Sequence, residues 1–426
     1  MNIPCSKSYA QRAILISIFS NSNVVINGIG KNMSDDISQA LDLLTTLNIK
    51  SKMTNKAKDK YEISIDSTKV DLETLLSKNI SFFTGESGTL TRMLIAILSS
   101  YPGKFDIDGT GSLLNRRLDS IKNFFDLSDV EFISNNGKLP ITICGKNNNF
   151  FLNESPMYEF DGSKTSQYIS GIIIAYAIRN RKTIFKIKNC FSIEYVKITV
   201  DILNQFGYDV SIIQNSENLY SIIINEVKRS KKKYVINIES DWSCLAANII
   251  YNLVNEDKEL KYDNANINSC QCDKRVMDLV LPFCEIDYNS DTNILSFNKL
   301  SDIKPFEFNC ANSPDLFPVA CALAATCKTG YSKIIGLDKV ANKESDRGKV
   351  IYEEFKKCGI HVSIEENSIL IKGTDDYINS EYNSHNDHRI AMALIILRKF
   401  YGDYIPDKDD CLNKSYSNFL EDIKNE

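Results

Sequence analysis

Cationic residues recur beside short turns rich in Ser, Gly and Asp: Lys7 and Arg12, Arg92, Arg116 and Arg117, Lys343 and Arg347, Arg389, and Lys414. Taken singly, each is most often a solvated charge or a salt-bridge partner. Recurrence at equivalent turns points instead to a shared anionic ligand. A phosphate carries about −1.5 to −2 charge at neutral pH, and several guanidinium forks with lysine ammoniums are the groups that hold it. Two acids share these turns. Asp315 follows Asn312-Ser-Pro, and Glu344 lies between Lys343 and Arg347. An N-cap or a first-turn acid accounts for either one. A carboxylate flanked by cations and bound anions also has the tunable proton affinity that general acid–base chemistry requires. The three histidines, His361, His385 and His388, come without HExxH or a Cys/His cluster, which argues against metal catalysis. There is no GxxxxGK[ST] loop, and Gly109-Thr-Gly111 lacks the third glycine of a dinucleotide fingerprint, so ATP and NAD are disfavoured and no cofactor is expected.

These turns need elements to hold them. At intervals of roughly 75 residues a polar turn runs into a compact apolar segment: Ala10 to Phe19, Leu90 to Leu98, Tyr168 to Ile178, Leu245 to Val254, Leu316 to Ala325 and Ile390 to Leu397. Apolar on every side and too short to cross a bilayer, they read as helices buried inside domains. Their N-termini offer unpaired N–H groups and the positive end of the helix dipole, so converging ends make a site for strongly anionic ligands. Between them lie amphipathic helical stretches (Asp35 to Leu47, Leu118 to Phe125, Ile193 to Phe206, Lys274 to Phe283, Asp346 to Cys358). Alternating strands follow most of these (Tyr61 to Ile65, Ile141 to Cys144, Tyr220 to Ile224, Ile294 to Phe297, Ile369 to Ile371). Residues 255–263 and 287–291 read as loops from their polarity.

A chain of 426 residues exceeds one compact core and suits two domains of about 200 residues, with three repeats in each. The run 228–233 holds five basic residues and reads as a solvated linker, which places the domain crossover near 234–239. A net charge of −5 argues against a general nucleic-acid or membrane-surface binder. The twelve cysteines follow no framework, and Cys270 and Cys272 have the wrong spacing for a CxxC motif, so reduced thiols and a cytoplasmic location are expected. Neither a signal peptide nor an 18-residue apolar run is found.

Five segments stand out: Pro4-Cys-Ser-Lys-Ser-Tyr-Ala-Gln-Arg12, Gly85-Glu-Ser-Gly-Thr-Leu-Thr-Arg92, Asp161-Gly-Ser-Lys-Thr-Ser-Gln167, Lys343-Glu-Ser-Asp-Arg347 and Asn386-Asp-His-Arg389. In their order and spacing they resemble the 5-enolpyruvylshikimate-3-phosphate (EPSP) synthase family. The resemblance runs from Pro4 to about Tyr416 and implies an α/β fold of two inside-out domains, each of three βαβαββ repeats around buried helices, closing over the substrates. The domains are expected at 7–236 and at 237–426 together with 1–6. It implies transfer of the enolpyruvyl group of phosphoenolpyruvate to the 5-hydroxyl of shikimate 3-phosphate without a cofactor, by a monomer. Carried over residue by residue, phosphoenolpyruvate contacts fall on Lys7, Gly88, Arg116, Gln167, Arg347, Arg389 and Lys414. Shikimate 3-phosphate contacts fall on Ser8, Arg12, Thr165, Ser166, Gln167, Ser192, Tyr195, Asp315, Lys339 and Lys343. Asp315 is the group expected to accept the hydroxyl proton, and Glu344, helped by Lys7, to deliver and later remove the C3 proton.

The chain departs from the family pattern in places. A further strand usually precedes the Pro4 segment, and without it a sheet edge is expected to lack a partner. Glu86 stands where an Asn is common and brings a carboxylate towards an anion site unless a cation engages it. Lys339 occupies a position that can be Asn, Glu194 replaces a common Pro, and Trp242 follows Asp241 where a small residue is usual. The rival enzyme is UDP-N-acetylglucosamine enolpyruvyl transferase, whose first lysine is followed by Asn-Ala rather than by Ser8 and which carries a loop usually bearing Cys. The rival class is a binding relative that keeps the cleft without turnover; the intact acid–base set argues against it.

Overall fold

The protein is described by a computed structural model that covers residues 3–30, 33–57, 60–128, 130–145, 157–163, 165–190, 192–229, 233–255, 260–341 and 343–424. The chain divides into two compact units, one of Ser6–Ile238 and one of Met1–Cys5 with Glu239–Glu426, so it passes between them at two places. Among the described residues no helix is long and apolar enough to cross a membrane.

In the 6–238 unit, three helices form the centre: Lys7–Phe19, Gly88–Leu98 and Ser166–Ile178. They are buried on nearly every side because their sequences are apolar on every side, as Ile14, Leu15, Ile16, Ile173 and Ile174 at 0 % exposure show. Gly171 allows two of them to approach closely, since a Cβ there would lie 2.8 Å from Ala96 Cβ and 2.9 Å from the Met93 backbone.

Three four-stranded sheets surround these helices, and all share one order. Strands Asn79–Phe83 and Lys104–Asp108 pair in parallel through a buried helix, and the hairpin Glu131–Asn135/Lys138–Cys144 adds antiparallel. Met157–Asp161, Thr183–Lys188, Leu219–Asn225 and Asp209–Ser216 repeat the pattern. In the remaining sheet, Asn23–Gly30 pairs with the hairpin Lys50–Ala57/Lys60–Asp66, but its parallel neighbour is Lys233–Asn237 from the far end of the unit. The unit is thereby closed on itself. The basic run at 228–233 is accordingly not a solvated linker throughout. Arg229 lies 4.3 Å over the Tyr208 ring and donates to the Ser20 carbonyl, and Lys233 opens the closing strand; residues 230–232 lie outside the described residues.

The other unit is built around Trp242–Asn255, Phe317–Ala325 and His388–Tyr401, whose side chains form one apolar core with those of the surrounding strands. Its middle repeat is complete: Glu307–Asn309 and Ser332–Ile335 pair in parallel, with the hairpin His361–Glu365/Ser368–Lys372 alongside. Its first sheet has three strands, Leu260–Asp263, Ile294–Lys299 and Cys284–Asn289, all antiparallel. Residues 260–263 and 287–289 are therefore strand rather than loop. Leu260 and Tyr262 point inward while Lys261 and Asp263 face out, an alternation that average polarity hides. After His388–Tyr401 come the 3-10 turn Asp410–Lys414 and a short helix Phe419–Lys424, with no strand among the described residues. Residues 402–410 carry Gly402, Pro406 and four aspartates, which leave no alternating apolar set for a sheet to bury. Among the described residues no disulfide joins any two of the twelve cysteines.

Candidate active site

Lys7, Ser8, Gly88, Ser166, Gln167 and Arg389 lie at the N-terminal ends of buried helices and Ser192, Tyr195 and Arg347 at those of amphipathic ones, whereas Arg116, Lys339 and Lys414 lie on or next to short helical turns. In the 6–238 unit, Lys7 opens its helix and its ammonium pairs with Asp36 Oδ2 at 3.0 Å; Asp36 lies in the first turn of the Asp35–Thr46 helix and is 4 % exposed. Gln11 braces this corner by donating to the Asp36 carbonyl at 3.1 Å and to Ser87 Oγ at 2.7 Å. Ser87 in turn caps the helix that begins at Gly88.

Arg12 is fully buried and bonds only neutral acceptors: Thr199 Oγ1 at 2.7 Å, the Ser8 carbonyl at 2.8 Å, the Tyr195 carbonyl at 3.1 Å and Ser170 Oγ at 3.4 Å. Burial brings its pKa down to about 10, so it keeps its charge at neutral pH. Among the described residues no carboxylate neutralises it. It ties Ser8 to Tyr195 across three helices and leaves a positive potential at their mouths. Ser192 and Thr165 are N-caps, of the Ile193–Gln205 helix and the Ser166–Ile178 helix; Thr165 Oγ1 accepts from Gln167 N.

Gly88, Arg92, Arg116 and Gln167 form one cluster. Arg92 Nη1 donates to Gln167 Oε1 at 2.7 Å, Gln167 Nε2 donates to Thr89 Oγ1 at 2.8 Å, and Arg116 Nη2 donates to Ser112 Oγ at 3.2 Å. A Cβ on Gly88 would stand 2.9 Å from Arg92 Nη1 and 3.4 Å from Arg116 Nη1. Glu86 accepts from the Ser112 backbone N–H at 3.1 Å, and its carboxylate fills the space where a Cβ on Gly111, at φ +58°, would have to go. The acid flagged in the sequence thus caps the Gly111–Asn115 turn that carries Arg116.

In the 239–426 unit the centre is Arg347, 1 % exposed at the start of the Arg347–Lys357 helix. It donates through Nη1 to Asp315 at 2.8 Å, through Nη2 to Glu344 at 2.9 Å and through Nε to Asp387 at 2.9 Å. Asp387 is 0 % exposed, accepts from Ser345 Oγ as well, and caps the His388–Tyr401 helix through Arg389 N. Lys343 and Arg389 each reach Asp315 at 3.6 Å, and Lys414 reaches Glu344 at 3.9 Å. Burial alone would push the Asp315 carboxyl up, but Lys343, Arg347 and Arg389 outweigh it and hold the carboxyl well below the usual range. Arg389 is 2 % exposed, and its Nε and Nη1 have no hydrogen-bond partner among the described residues. A buried guanidinium with two unsatisfied donors is a ready contact for an anion.

Lys339 lies on the Leu337–Val340 helix, where its ammonium pairs with Asp338 at 2.7 Å. Sequence reasoning missed Asp36, Gln11, Thr199 and Asp387 as partners of site residues, and left Arg92 outside the contact set. Asp387 lies inside the Asn386-Asp-His-Arg389 segment, so position beside a site arginine was a usable signal; for Thr199, 187 residues from Arg12, there was none.

The model of the EPSP synthase (3-phosphoshikimate 1-carboxyvinyltransferase) family matches residues 1–423. The 3-phosphoshikimate 1-carboxyvinyltransferase of Clostridium acetobutylicum is 30 % identical over 433 aligned positions, covering 100 % of this chain and 94 % of that one. The protein of the same name from Brachyspira hyodysenteriae is 28 % identical, covering 99 % and 94 %. Among solved structures, an EPSP synthase from Acinetobacter baumannii superposes with a TM-score of 0.73 at 18 % identity, over 100 % of this chain and 94 % of that one. The enolpyruvyl transferase NikO from Streptomyces tendae does so with 0.70 at 13 % identity, over 99 % and 93 %. Both likenesses show the fold.

Proposed function

The chain belongs to the EPSP synthase family, transferring the enolpyruvyl group of phosphoenolpyruvate to shikimate 3-phosphate, and we infer that the residues at its two sets of helix mouths share that reaction. The observation that carries the assignment is Arg389, a buried guanidinium with two donors unsatisfied, set against the acids Asp315 and Glu344 that Arg347 holds. Phosphoenolpyruvate takes Lys7, Gly88, Arg116, Gln167, Arg347, Arg389 and Lys414. Shikimate 3-phosphate takes the hydroxyls of Ser8, Thr165, Ser166, Ser192 and Tyr195, the amide of Gln167, the buried charge of Arg12, and Lys339, Lys343 and Asp315.

The acceptor 5-hydroxyl oxygen bonds to C2 of phosphoenolpyruvate and its proton passes to Asp315, while C3 takes a proton from Glu344 with Lys7 assisting. The C3 proton then returns to Glu344, the C2–C3 double bond re-forms and the C2–O bond to phosphate breaks. Cations stabilise the charge that collects on the departing phosphate. With its ammonium and guanidinium partners in place, Asp315 is a poor base. An arriving anion that draws those cations towards itself raises the proton affinity of Asp315, which couples base strength to substrate binding. The protein acts as a cytoplasmic monomer in this reading.

Phosphate release from phosphoenolpyruvate, measured with shikimate 3-phosphate and separately with UDP-N-acetylglucosamine, tests the assignment. Release that requires shikimate 3-phosphate is expected. Release driven by the nucleotide sugar, or by neither acceptor, would overturn it.

A further inference from the structure

One buried acid of the 239–426 unit has no place among the substrate contacts. Asp273 lies on the 3-10 turn Cys272–Arg275 and is 3 % exposed. Its Oδ2 accepts the Ser243 hydroxyl from the first turn of the Trp242–Asn255 helix, and Cys272 Sγ approaches its Oδ1 at 3.6 Å. A hydroxyl and a thiol are thus its hydrogen-bond partners, and among the described residues no ammonium, guanidinium or imidazole pairs with it.

The turn is tied to the loop that carries Asp315, because Ser313 Oγ donates to the Cys272 carbonyl at 3.0 Å and Arg275 Nη1 to the Asn309 carbonyl at 2.9 Å. The charges acting on Asp273 from the neighbouring elements are Asp315, Arg389 and Asp241. The nearby thiol of Cys310 is pushed up by burial and stays neutral.

Arg347 engages Asp315, Glu344 and Asp387, Lys343 and Arg389 reach Asp315, and Lys414 reaches Glu344, whereas none of these cations forms an ion pair with Asp273 among the described residues. An isolated buried carboxylate is costly, and the acid whose hydrogen-bond partners are neutral is where a proton relieves that cost most.

We propose that Asp273, a positioning residue outside the substrate contacts, holds the exchangeable proton of this carboxylate cluster and through its charge sets the proton affinity of Asp315. The inference rests on the reading of Asp315 as the base. When Asp273 is ionised, its repulsion raises the proton affinity of Asp315 and makes it a better base; when Asp273 is protonated, the surrounding cations hold Asp315 as a weak one. Burial first, and then Asp315, push the Asp273 carboxyl up to about 6, so the change falls in an accessible pH range.

The wild-type kcat at saturating substrates is expected to fall as pH drops through a limb near 6. Asp273→Asn fixes the neutral state, so that limb leaves the range and kcat at pH 8 drops roughly three- to tenfold. Ser243→Ala removes a donor that favours the charged carboxylate, so the limb moves to higher pH; this variant decides the matter if Asp273→Asn does not fold. An infrared difference spectrum between pH 5 and pH 7 should contain a protonated-carboxyl band that Asp273→Asn lacks. A wild-type limb and band retained in Asp273→Asn, or a limb that fails to rise in Ser243→Ala, overturns the proposal. Asp315→Asn separates the two readings. Turnover that persists there removes Asp315 as base, whereas turnover lost there with an unmoved limb in Asp273→Asn and Ser243→Ala removes only the role given to Asp273.

Discussion

Arg347 commits its guanidinium to three acids, whereas Arg389 keeps Nε and Nη1 uncommitted, and this difference divides the work between them. Arg347 organises the carboxylates; Arg389 is poised for a ligand. Charged hydrogen bonds are worth about 1.5–3 kcal/mol, so Arg389→Ala should weaken phosphoenolpyruvate roughly tenfold to a hundredfold and shikimate 3-phosphate far less. Calorimetric titration of each ligand alone measures this, and equal losses would contradict a direct contact. Asp315→Asn and Glu344→Gln should each lower kcat by about 10² or more with unfolding curves close to wild type, since general acid–base groups contribute at that scale. Wild-type rates in either variant would take that residue out of the mechanism.

Helix ends are the elements that position the chemistry, and side-chain caps fix several of the mouths: Ser87, Thr165 and Asp387 each accept a backbone N–H of the helix they precede. Asp387 caps the His388–Tyr401 helix and anchors Arg347, and two variants separate these roles. Asp387→Asn can keep the cap while losing the charge; Asp387→Ala loses both, and should be less stable than the Asn variant by about 0.5–2 kcal/mol. Denaturant unfolding of the pair gives that difference, and equal stabilities would show that the cap contributes nothing. At the mouth of the Gly88–Leu98 helix, Gly88→Ala puts a methyl group 2.9 Å from Arg92 Nη1, so that guanidinium end must shift, and brings it into ordinary contact with Arg116 Nη1 at 3.4 Å. The expected result is a raised KM for phosphoenolpyruvate with little change in the melting temperature, because the displaced atoms are the far ends of flexible side chains. An unchanged KM would mean that the wall formed by Gly88 and Arg92 does not border the substrate.

At the scale of the whole molecule, the 6–238 unit is closed by a strand from its own end, Lys233–Asn237 lying parallel to Asn23–Asn27. Ile236 is fully buried in that strand. Ile236→Ala should cost about 2–5 kcal/mol, the range for a large-to-small change in a core. Each unit has its own apolar core, so differential scanning calorimetry should show the loss in the transition of the 6–238 unit and leave the other in place. A uniform shift of a single transition would mean that the units unfold together.

The amino-acid order by itself determined the six buried helices, because a segment apolar on all sides has no face to give to water and must lie inside. It also determined the polar turns at their mouths and the cations within them, since capping and turn preferences are local. Where polarity was averaged instead of read in alternation, as at 260–263, a strand was mistaken for a loop. Only the tertiary structure decided which charges meet. Asp36 engages Lys7, Thr199 engages Arg12, and Asp387 and Asp315 share Arg347 from segments tens of residues away. It alone made Glu86 the cap of a turn, left Arg389 with unsatisfied donors, and buried Asp273 beside a hydroxyl without a cation. Pairing through space depends on how helices and loops from distant parts of the chain pack, and a charge carries no mark in the sequence of the partner that packing will bring to it.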